Sequence, residues 1–473
     1  MKLIVFINGL VLVFGSVLMA VDAVLFGATA AVFYPAALLT FTTGLCLCLV
    51  SYSSFAGFRA RDTFLLTASV WMTAAAFGTL PLFMWSMPLS DAFFEAMSGI
   101  TTTGSTVMSG LDSTPPGILI WRAVLQWLGG VGFIVTGIAL LPMLRVGGMQ
   151  LFRSESSDQG EKELKSSAKF AAATLWVYLT LSMSCMALYL LGGMGAFDAV
   201  VHAMTTLSSG GFSNYDASFG HFDSAFLQWT ATLFMLCAGL PFAWFIRAAH
   251  RRVFRSEQVT FYLSGLAVVI VLITLWRVTV HDVAPMEALR TVAFHVVSTV
   301  TTTGYATSDY TKWGPAAVAV FFLLMAVGGC AGSTAGGAKT MRWILLFRSL
   351  GQQLRLIRHP HGIFTIRYEG RRVEPGVLDG VTSFFVVYFF TFAVLAVLLD
   401  FSGLDFATAT SGALTALANV GPGVGDIIGP AGNFSSLPDS AKWVLAFGMY
   451  VGRLEMLTVL VLLTPVFWRE ELA

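Results

Sequence analysis

Thr101-Thr102-Thr103-Gly104-Ser105-Thr106 is the stretch on which the fold turns, because it returns in altered form three more times. The second copy is Leu207-Ser208-Ser209-Gly210-Gly211-Phe212-Ser213. The third is Thr301-Thr302-Thr303-Gly304-Tyr305-Ala306-Thr307, and the fourth is Ala418-Asn419-Val420-Gly421-Pro422-Gly423. Aligning Gly104, Gly211, Gly304 and Gly421 spaces the copies by about 100 residues, and repetition on that scale is a fold-level signal. Each string closes a short apolar segment, near 91–102, 197–208, 287–302 and 405–418. At roughly 10–14 residues such a segment is too short to span a bilayer and suits a re-entrant helix.

Longer apolar runs flank the short ones. Spans of about 20 apolar residues fall near 3–26, 34–56, 63–86, 118–144, 170–192, 225–247, 259–280, 314–348, 377–400 and 441–467. That makes ten, with the eighth interrupted by glycines. The repeating unit reads as helix, re-entrant helix, loop, helix. Of the 473 residues 56% are hydrophobic and 11% charged, against about 25% charged in a soluble domain. The first run, Leu3 to Phe26 after Lys2, is longer than a secretory core of roughly 7–15 residues, so a retained first span is expected. A net charge of +1 gives no reason to expect a nucleic-acid partner.

The basic residues set an expected orientation. With the N-terminus in the cytoplasm and every short segment entering from outside, Arg59, Arg61, Arg145, Arg153, Lys162, Lys165, Lys169, Arg247, Arg251, Arg252 and Arg255 fall inside. So do Arg348, Arg355, Arg358, Arg367, Arg371 and Arg372, whereas Arg122, Arg277, Arg290, Lys312 and Lys442 fall outside. This is the positive-inside bias. The sizeable polar stretches are 148–169 and 349–376. Residues 153–162, of alternating charge, read as a solvated loop or as a docking surface for a cytoplasmic partner.

The strings have the chemistry of an ion filter. A dehydrated cation needs oxygens in place of its water shell, and successive backbone carbonyls supply them. Glycine permits the unusual backbone, serine and threonine add hydroxyls, and the negative end of the preceding helix favours a cation. A single such string is equally a helix-packing motif; four in equivalent places point to one cation pore. Five residues beyond the aligned glycine stand Asp216, Asp309 and Asp426, with Asp112 the nearest in the first copy. They are either an acidic outer vestibule that concentrates cations or ordinary turn residues.

The eighth span contains Gly328-Gly329-Cys330-Ala331-Gly332-Ser333-Thr334-Ala335-Gly336-Gly337-Ala338-Lys339-Thr340. It lacks the Gly-Lys step and the preceding strand of a phosphate-binding loop. Two readings stand: a flexible intramembrane gate beneath the filter, or a packing kink. Arg453, inside the last span, is either an electrostatic barrier in the pore or a cap on the carbonyls of the broken helix. Glu455, two residues on, lies on another helix face.

No carboxylate pair or histidine cluster has the spacing of an enzyme site or metal centre. Cys46, Cys48, Cys185, Cys237 and Cys330 all sit in apolar stretches and read as small buried hydrophobes. Glu95, His202 and His295 share one position, nine residues before the aligned glycine, and read as capping or neighbour-contacting residues.

The four strings, the Gly-Gly-Cys-Ala-Gly-Ser-Thr-Ala-Gly-Gly loop and Gly452-Arg453-Leu454-Glu455 resemble the superfamily of potassium transporters that includes the TrkH, KtrB and plant HKT proteins. The resemblance covers nearly the whole chain, and the helix pair before residue 60 is similar to the TrkH branch. It implies an all-α integral membrane protein in which four pseudo-fourfold helix–pore loop–helix repeats surround one pore. The expected division is an N-terminal helix pair at 1–60 and pore repeats at 61–150, 151–255, 256–358 and 359–473.

The resemblance implies potassium held by Thr102, Thr103, Gly104, Ser209, Gly210, Gly211, Thr302, Thr303, Gly304, Asn419, Val420 and Gly421. It makes Gly328, Gly329, Gly332, Ser333, Thr334, Gly336, Gly337, Lys339 and Arg453 the gate. It further implies a homodimer in lipid, in a bacterial inner membrane. A cytoplasmic TrkA-type subunit would carry the nucleotide, and the chain itself no covalent cofactor. The register of the Gly210-Gly211 copy is open by one residue. Asn419 and Pro422 make the fourth copy chemically unlike the others, which leaves room for sodium permeation or coupled potassium–sodium transport. Gly104 favours potassium, since plant relatives that prefer sodium carry serine there.

Overall fold

The computed structural model describes residues 2–52, 60–139 and 163–469. Arg59, Arg145, Arg153, Lys162 and the 153–162 stretch lie outside the described residues, as does the side chain of Lys165. Helices α1 (Lys2–Leu25) and α2 (Ala30–Ser51) form the N-terminal hairpin. Their backbones touch at Gly9, where a Cβ would lie 2.8 Å from the Gly44 carbonyl oxygen, the close approach that small residues allow between membrane helices. The pair packs on α3 (Ala60–Met84) and α5 (Pro116–Ala139).

Between α3 and α5 lies the short helix α4 (Leu89–Ile100). The same order recurs as α6 (Glu163–Leu191), α7 (Ala196–Leu207) and α8–α9 (Ala225–Ala238 and Phe242–Arg251). It recurs again as α10 (Glu257–His281), α11 (Pro285–Val300) and α12–α13 (Pro315–Met325 and Thr340–Arg358). The fourth set is α14 (Pro375–Phe401), α15 (Phe406–Ala418) and α16–α17 (Asp439–Arg453 and Met456–Leu462), followed by α18 (Pro465–Arg469). Among the described residues six helices are individually long and apolar enough to cross a membrane. Their outward faces carry Phe14, Trp176, Leu272, Phe390 and other exposed apolar side chains, as a hydrocarbon solvent requires.

Three spans are broken, where one interruption was expected. Helices α8 and α9 meet at 92°, and α16 and α17 at 111°. Residues 326–339 separate α12 from α13. At the first break Pro241 cannot continue the ladder, and the freed carbonyls find partners in the 326–339 loop. The Cys330 N–H donates to the Gly239 carbonyl at 2.9 Å and the Thr334 N–H to the Ala238 carbonyl at 3.3 Å. Among the described residues the departure from all-helical structure is one small antiparallel hairpin, β1 (Arg367–Tyr368) and β2 (Arg371–Arg372).

Candidate ion-conduction site

The four short helices end alike. At the end of α4 the Thr102 N–H donates to the Gly99 carbonyl and the Thr103 N–H to the Ser98 carbonyl, each at 2.9 Å. The pair is repeated by Ser209 to Thr206 and Gly210 to Thr205, by Thr302 to Thr299 and Thr303 to Ser298, and by Asn419 to Ala416 and Val420 to Thr415. This is the Schellman closure, which needs a left-handed residue at its turn. Thr102, Ser209, Thr302 and Asn419 adopt it, with φ of 53°, 55°, 57° and 55°. For an L-residue that backbone costs about 1–2 kcal/mol, so holding it four times marks the loops as built for a purpose.

Two residues later Gly104, Gly211, Gly304 and Gly421 also have positive φ, at 85°, 71°, 80° and 112°. This fixes the register of the second loop: Gly211, not Gly210, is the counterpart of Gly104. Each glycine backs onto the next loop. A Cβ on Gly104 would overlap the Gly210 carbonyl oxygen, one on Gly211 that of Thr303, and one on Gly304 that of Val420. On Gly421 it would stand 2.9 Å from the Thr103 carbonyl oxygen. The contacts run from the first loop to the second, third and fourth and back to the first, so the four strings close a ring.

Within that ring the carbonyls of Thr102, Thr103, Gly104, Ser209, Gly211, Thr302, Thr303, Gly304, Asn419 and Val420 accept no hydrogen bond from a described residue. Nearly all buried carbonyls in folded proteins are paired. Ten bare ones on four adjoining loops, seven of them on buried residues, make an oxygen-rich, donor-poor group. The ring is not uniform. The Gly210 carbonyl accepts from Gln126 Nε2 at 2.6 Å, while the Phe212 N–H donates to Gln126 Oε1 at 3.1 Å. Gln126 therefore grips the second loop on both sides of Gly211. The Thr103 and Thr303 hydroxyls turn away to Thr101 and Thr301, each at 2.8 Å. Asn419 Nδ2 donates to Thr103 Oγ1 and to the Met449 carbonyl, each at 2.9 Å.

Behind the ring, the residue nine before the glycine pins the ascending limb of its own repeat. Glu95 accepts from the Val107 N–H at 2.9 Å and pairs with Arg122 at 2.8 Å, both side chains buried. His202 Nε2 meets Ser213 Oγ at 3.1 Å, and His295 Nε2 meets the Ser308 carbonyl at 3.0 Å. In the fourth repeat Gly412 stands there and its neighbour Ser411 donates to the Val424 carbonyl at 3.1 Å. From the sequence, Arg122 counts only among the charges on the outer side. In the structure it lies inside α5, bonded to Glu95 and to the Ser213 carbonyl, with its guanidinium over Phe212.

The glycine-rich break packs directly against the ends of the short helices. Gly328, Gly332 and Gly337 have positive φ, and Gly328 lies against Gly336–Gly337, so the segment folds back on itself. The Thr340 N–H donates to the Gly329 carbonyl at 3.0 Å, and Ser333 Oγ to the Cys330 carbonyl at 2.7 Å. Lys339, also at positive φ, donates to the Ala335 carbonyl. The segment is thus a compact, buried, hydrogen-bonded turn.

Its far side touches the filter strings. Thr334 Oγ1 lies 2.9 Å from Ser209 Oγ and 3.0 Å from the Leu207 carbonyl oxygen. The Gly336 N–H donates to Thr302 Oγ1 at 2.6 Å, and the Gly337 N–H to the Ala418 carbonyl at 2.9 Å. Thr102 Oγ1, the equivalent hydroxyl of the first loop, is buried with no hydrogen-bond partner among the described residues.

Arg453 reaches the same segment from the end of α16. Its Nη1 donates to the Thr334 carbonyl at 2.9 Å and its Nη2 to the Gly129 carbonyl of α5 at 3.3 Å. Glu455, at the bend between α16 and α17, pairs with Arg342 of α13 at 2.7 Å, where Arg342 lies over Phe384. This buried pair joins two broken spans and was not legible from the sequence, where Arg342 is one of several basic residues after the glycines.

The four acidic residues are engaged unequally. Asp216 accepts from the Gly110 N–H at 2.8 Å and the Leu111 N–H at 3.1 Å, and its own N–H donates to Asp112 at 3.2 Å. Asp309 accepts from the Thr311 N–H at 3.0 Å. Asp426 is exposed. Groups of three or more histidine, cysteine, aspartate or glutamate side chains placed to hold a metal are absent among the described residues.

Membrane-spanning helices, four re-entrant helices and a closed ring of four glycine loops with mostly unbonded carbonyls define a polytopic membrane pore protein. Residues 36–469 match the family model described as TrkH, cation transport protein, and the chain belongs to that family. It is 46% identical to the Trk system potassium uptake protein TrkI of Halomonas elongata, over 95% of this chain and 91% of that one. It is 37% identical to the Trk system potassium uptake protein TrkH of Escherichia coli, over 87% of each. The crystal structure of the potassium transporter TrkH from Vibrio parahaemolyticus superposes with a TM-score of 0.91 at 32% identity, covering 99% of both chains. These relatives are named as transport proteins, not enzymes, and as parts of a Trk system.

Proposed function

We propose that the chain is the membrane pore subunit of a Trk-type potassium uptake system, passing potassium through one pore per chain. The ring of bare backbone carbonyls carries this reading, because such a cage replaces the hydration shell of a monovalent cation. The filter residues are Thr102–Gly104, Ser209–Gly211, Thr302–Gly304 and Asn419–Gly421. The 328–337 turn, with Lys339 and Arg453, is the gate. Asp112, Asp216, Asp309 and Asp426 stand at the mouth. The repeats divide at 61–150, 151–255, 256–358 and 359–473, after an N-terminal pair at 1–60.

In this reading the chain is a homodimer in a bacterial inner membrane, with its N-terminus in the cytoplasm, where the basic residues concentrate. A TrkA-type nucleotide-binding subunit docks there and moves the gate. The alternative reading is a sodium-permeable or coupled potassium–sodium transporter, since Gly210, Asn419 and Val420 make the four loops chemically unequal. The test is ion flux into proteoliposomes with potassium, sodium and the proton gradient varied separately. Potassium influx that sodium inhibits only weakly is expected. Absence of potassium flux, or flux driven only by the proton gradient, would overturn the reading of a channel-like pore.

A further inference from the structure

A cavity of about 280 Å³ lies between the N-terminal hairpin and the first repeat. Its outer rim is Val11, Phe14 and Gly15 of α1, with Phe14 facing outward. Its inner wall is Trp71, Trp121 and Leu125, each at most 4% exposed. Two polar groups in the wall are already used: the Trp121 indole N–H donates to the Gly78 carbonyl, and the Thr40 hydroxyl to the Ala36 carbonyl. Apolar cavities stay dry and accept apolar guests, and about 150 Å³ suffices for benzene. This one is nearly twice as large. Gly15 lies near the middle of the 24-residue helix α1, hence near the middle of a bilayer, where the molecules at hand are hydrocarbon chains.

We infer that the cavity is a binding site for one acyl chain of a membrane phospholipid, inserted between α1 and the first repeat. The position gives such a chain leverage on the pore. Ile100, the last residue of α4, and Gly129 both line it. The Gly129 carbonyl accepts from Arg453, whose guanidinium lies 5.7 Å from the centre of the Trp71 ring. An occupant therefore braces, from the lipid side, the wall against which Arg453 holds the 328–337 turn. A dry void there would leave Trp71 and α5 without packing partners.

The test uses the full chain in vesicles of phosphatidylcholine bearing a diazirine at mid-chain. Irradiation is expected to label Trp121 and Leu125, which are buried from the surface, as well as lipid-facing residues such as Phe14. A Cβ at Gly15 has open space around it, so Gly15→Leu fills the mouth without a clash. That variant is expected to lose the Trp121 and Leu125 labels and keep those on Phe14. Labels confined to the outer faces of the unaltered protein would overturn the inference, as would inner labels that persist in the variant or a cross-link to a second chain through this wall. These labels stand apart from which ion the chain carries. Rubidium influx in the same vesicles reads the coupling. Dependence on acyl-chain unsaturation is expected in the unaltered protein and lost in Gly15→Leu; equal dependence in both would overturn the link to Arg453.

Discussion

The Gly336 N–H donates to the Thr302 hydroxyl at 2.6 Å, so the interrupted span and the third filter loop share a hydrogen bond. Thr334 makes the corresponding link to Ser209 of the second loop. The 328–337 turn and the ends of the second and third strings are thus in direct contact.

Thr334→Val keeps the shape of the side chain and removes its hydroxyl, which meets Ser209 Oγ and the Leu207 and Ala238 carbonyls. Each neutral hydrogen bond contributes about 0.5–1.5 kcal/mol net, and about 1.4 kcal/mol is tenfold in an equilibrium. Potassium flux without any regulatory partner is expected to rise roughly tenfold, measured as rubidium influx into proteoliposomes. Unchanged flux would mean that the docked turn does not hold the pore shut.

Arg453→Gln shortens the side chain and removes its bonds to the Thr334 and Gly129 carbonyls. Single-channel conductance and open time separate its two roles. Longer openings at unchanged conductance are expected, because Arg453 binds the turn. Raised conductance at unchanged open time would favour an electrostatic barrier instead.

Gly104→Ser places a Cβ on the Gly210 carbonyl and at a φ of 85°. The left-handed backbone alone costs about 1–2 kcal/mol. The first loop must withdraw, the ring opens at one joint, and the preference for potassium over sodium falls, by about tenfold if the strain is expressed in binding. Competition between the two ions in a flux assay checks this.

Glu455→Gln removes one charge of a buried pair, a change that costs about 3–5 kcal/mol. The melting temperature of the purified protein is expected to drop sharply. In an Arg342→Met, Glu455→Met double variant most of the loss should return, since an apolar pair leaves no stranded charge. An equal drop in both variants would show that the pair's hydrogen bonds, not its charges, join α13 to the last span.

Asp426→Asn and Asp216→Ala should part company. Asp426 is exposed, so its loss should raise the potassium concentration needed for half-maximal uptake and leave the melting temperature alone. Asp216 accepts two backbone N–H groups of the first repeat, so its loss should lower the melting temperature as well. Identical behaviour of the two would remove the distinction between a vestibule charge and a turn residue.

The repeat and its short helices were legible because the bilayer imposes lengths: the expected segment at 197–208 and the observed helix Ala196–Leu207 differ by one residue at each end. The glycine alignment was legible up to the Gly210-Gly211 ambiguity, which the positive φ of Ser209 and Gly211 resolves. The breaks at Gly239–Pro241 and Leu454–Glu455 were not. Both runs are apolar enough to continue; Pro241 interrupts the first, and the groups that satisfy the breaks are distant in sequence, Cys330 and Thr334 for the first and Arg342 for the second. Gln126 escaped notice for the same reason. Nothing near it in the chain shows that the loop it grips lies 84 residues away.

The closed ring of glycines has a consequence for how such a pore can fail and how it can evolve. Each joint pairs a glycine of one loop with a carbonyl of the next, so the backbone plan is shared while the side chains around it are free to differ. A channel assembled from four identical subunits must accept any change four times over. Here one loop can exchange threonine for asparagine, and a single turn from the third repeat meets the ends of the second, third and fourth strings. With the proposed gate drawn from one repeat alone, opening should occur in one step, without the graded sublevels that independent subunits would give.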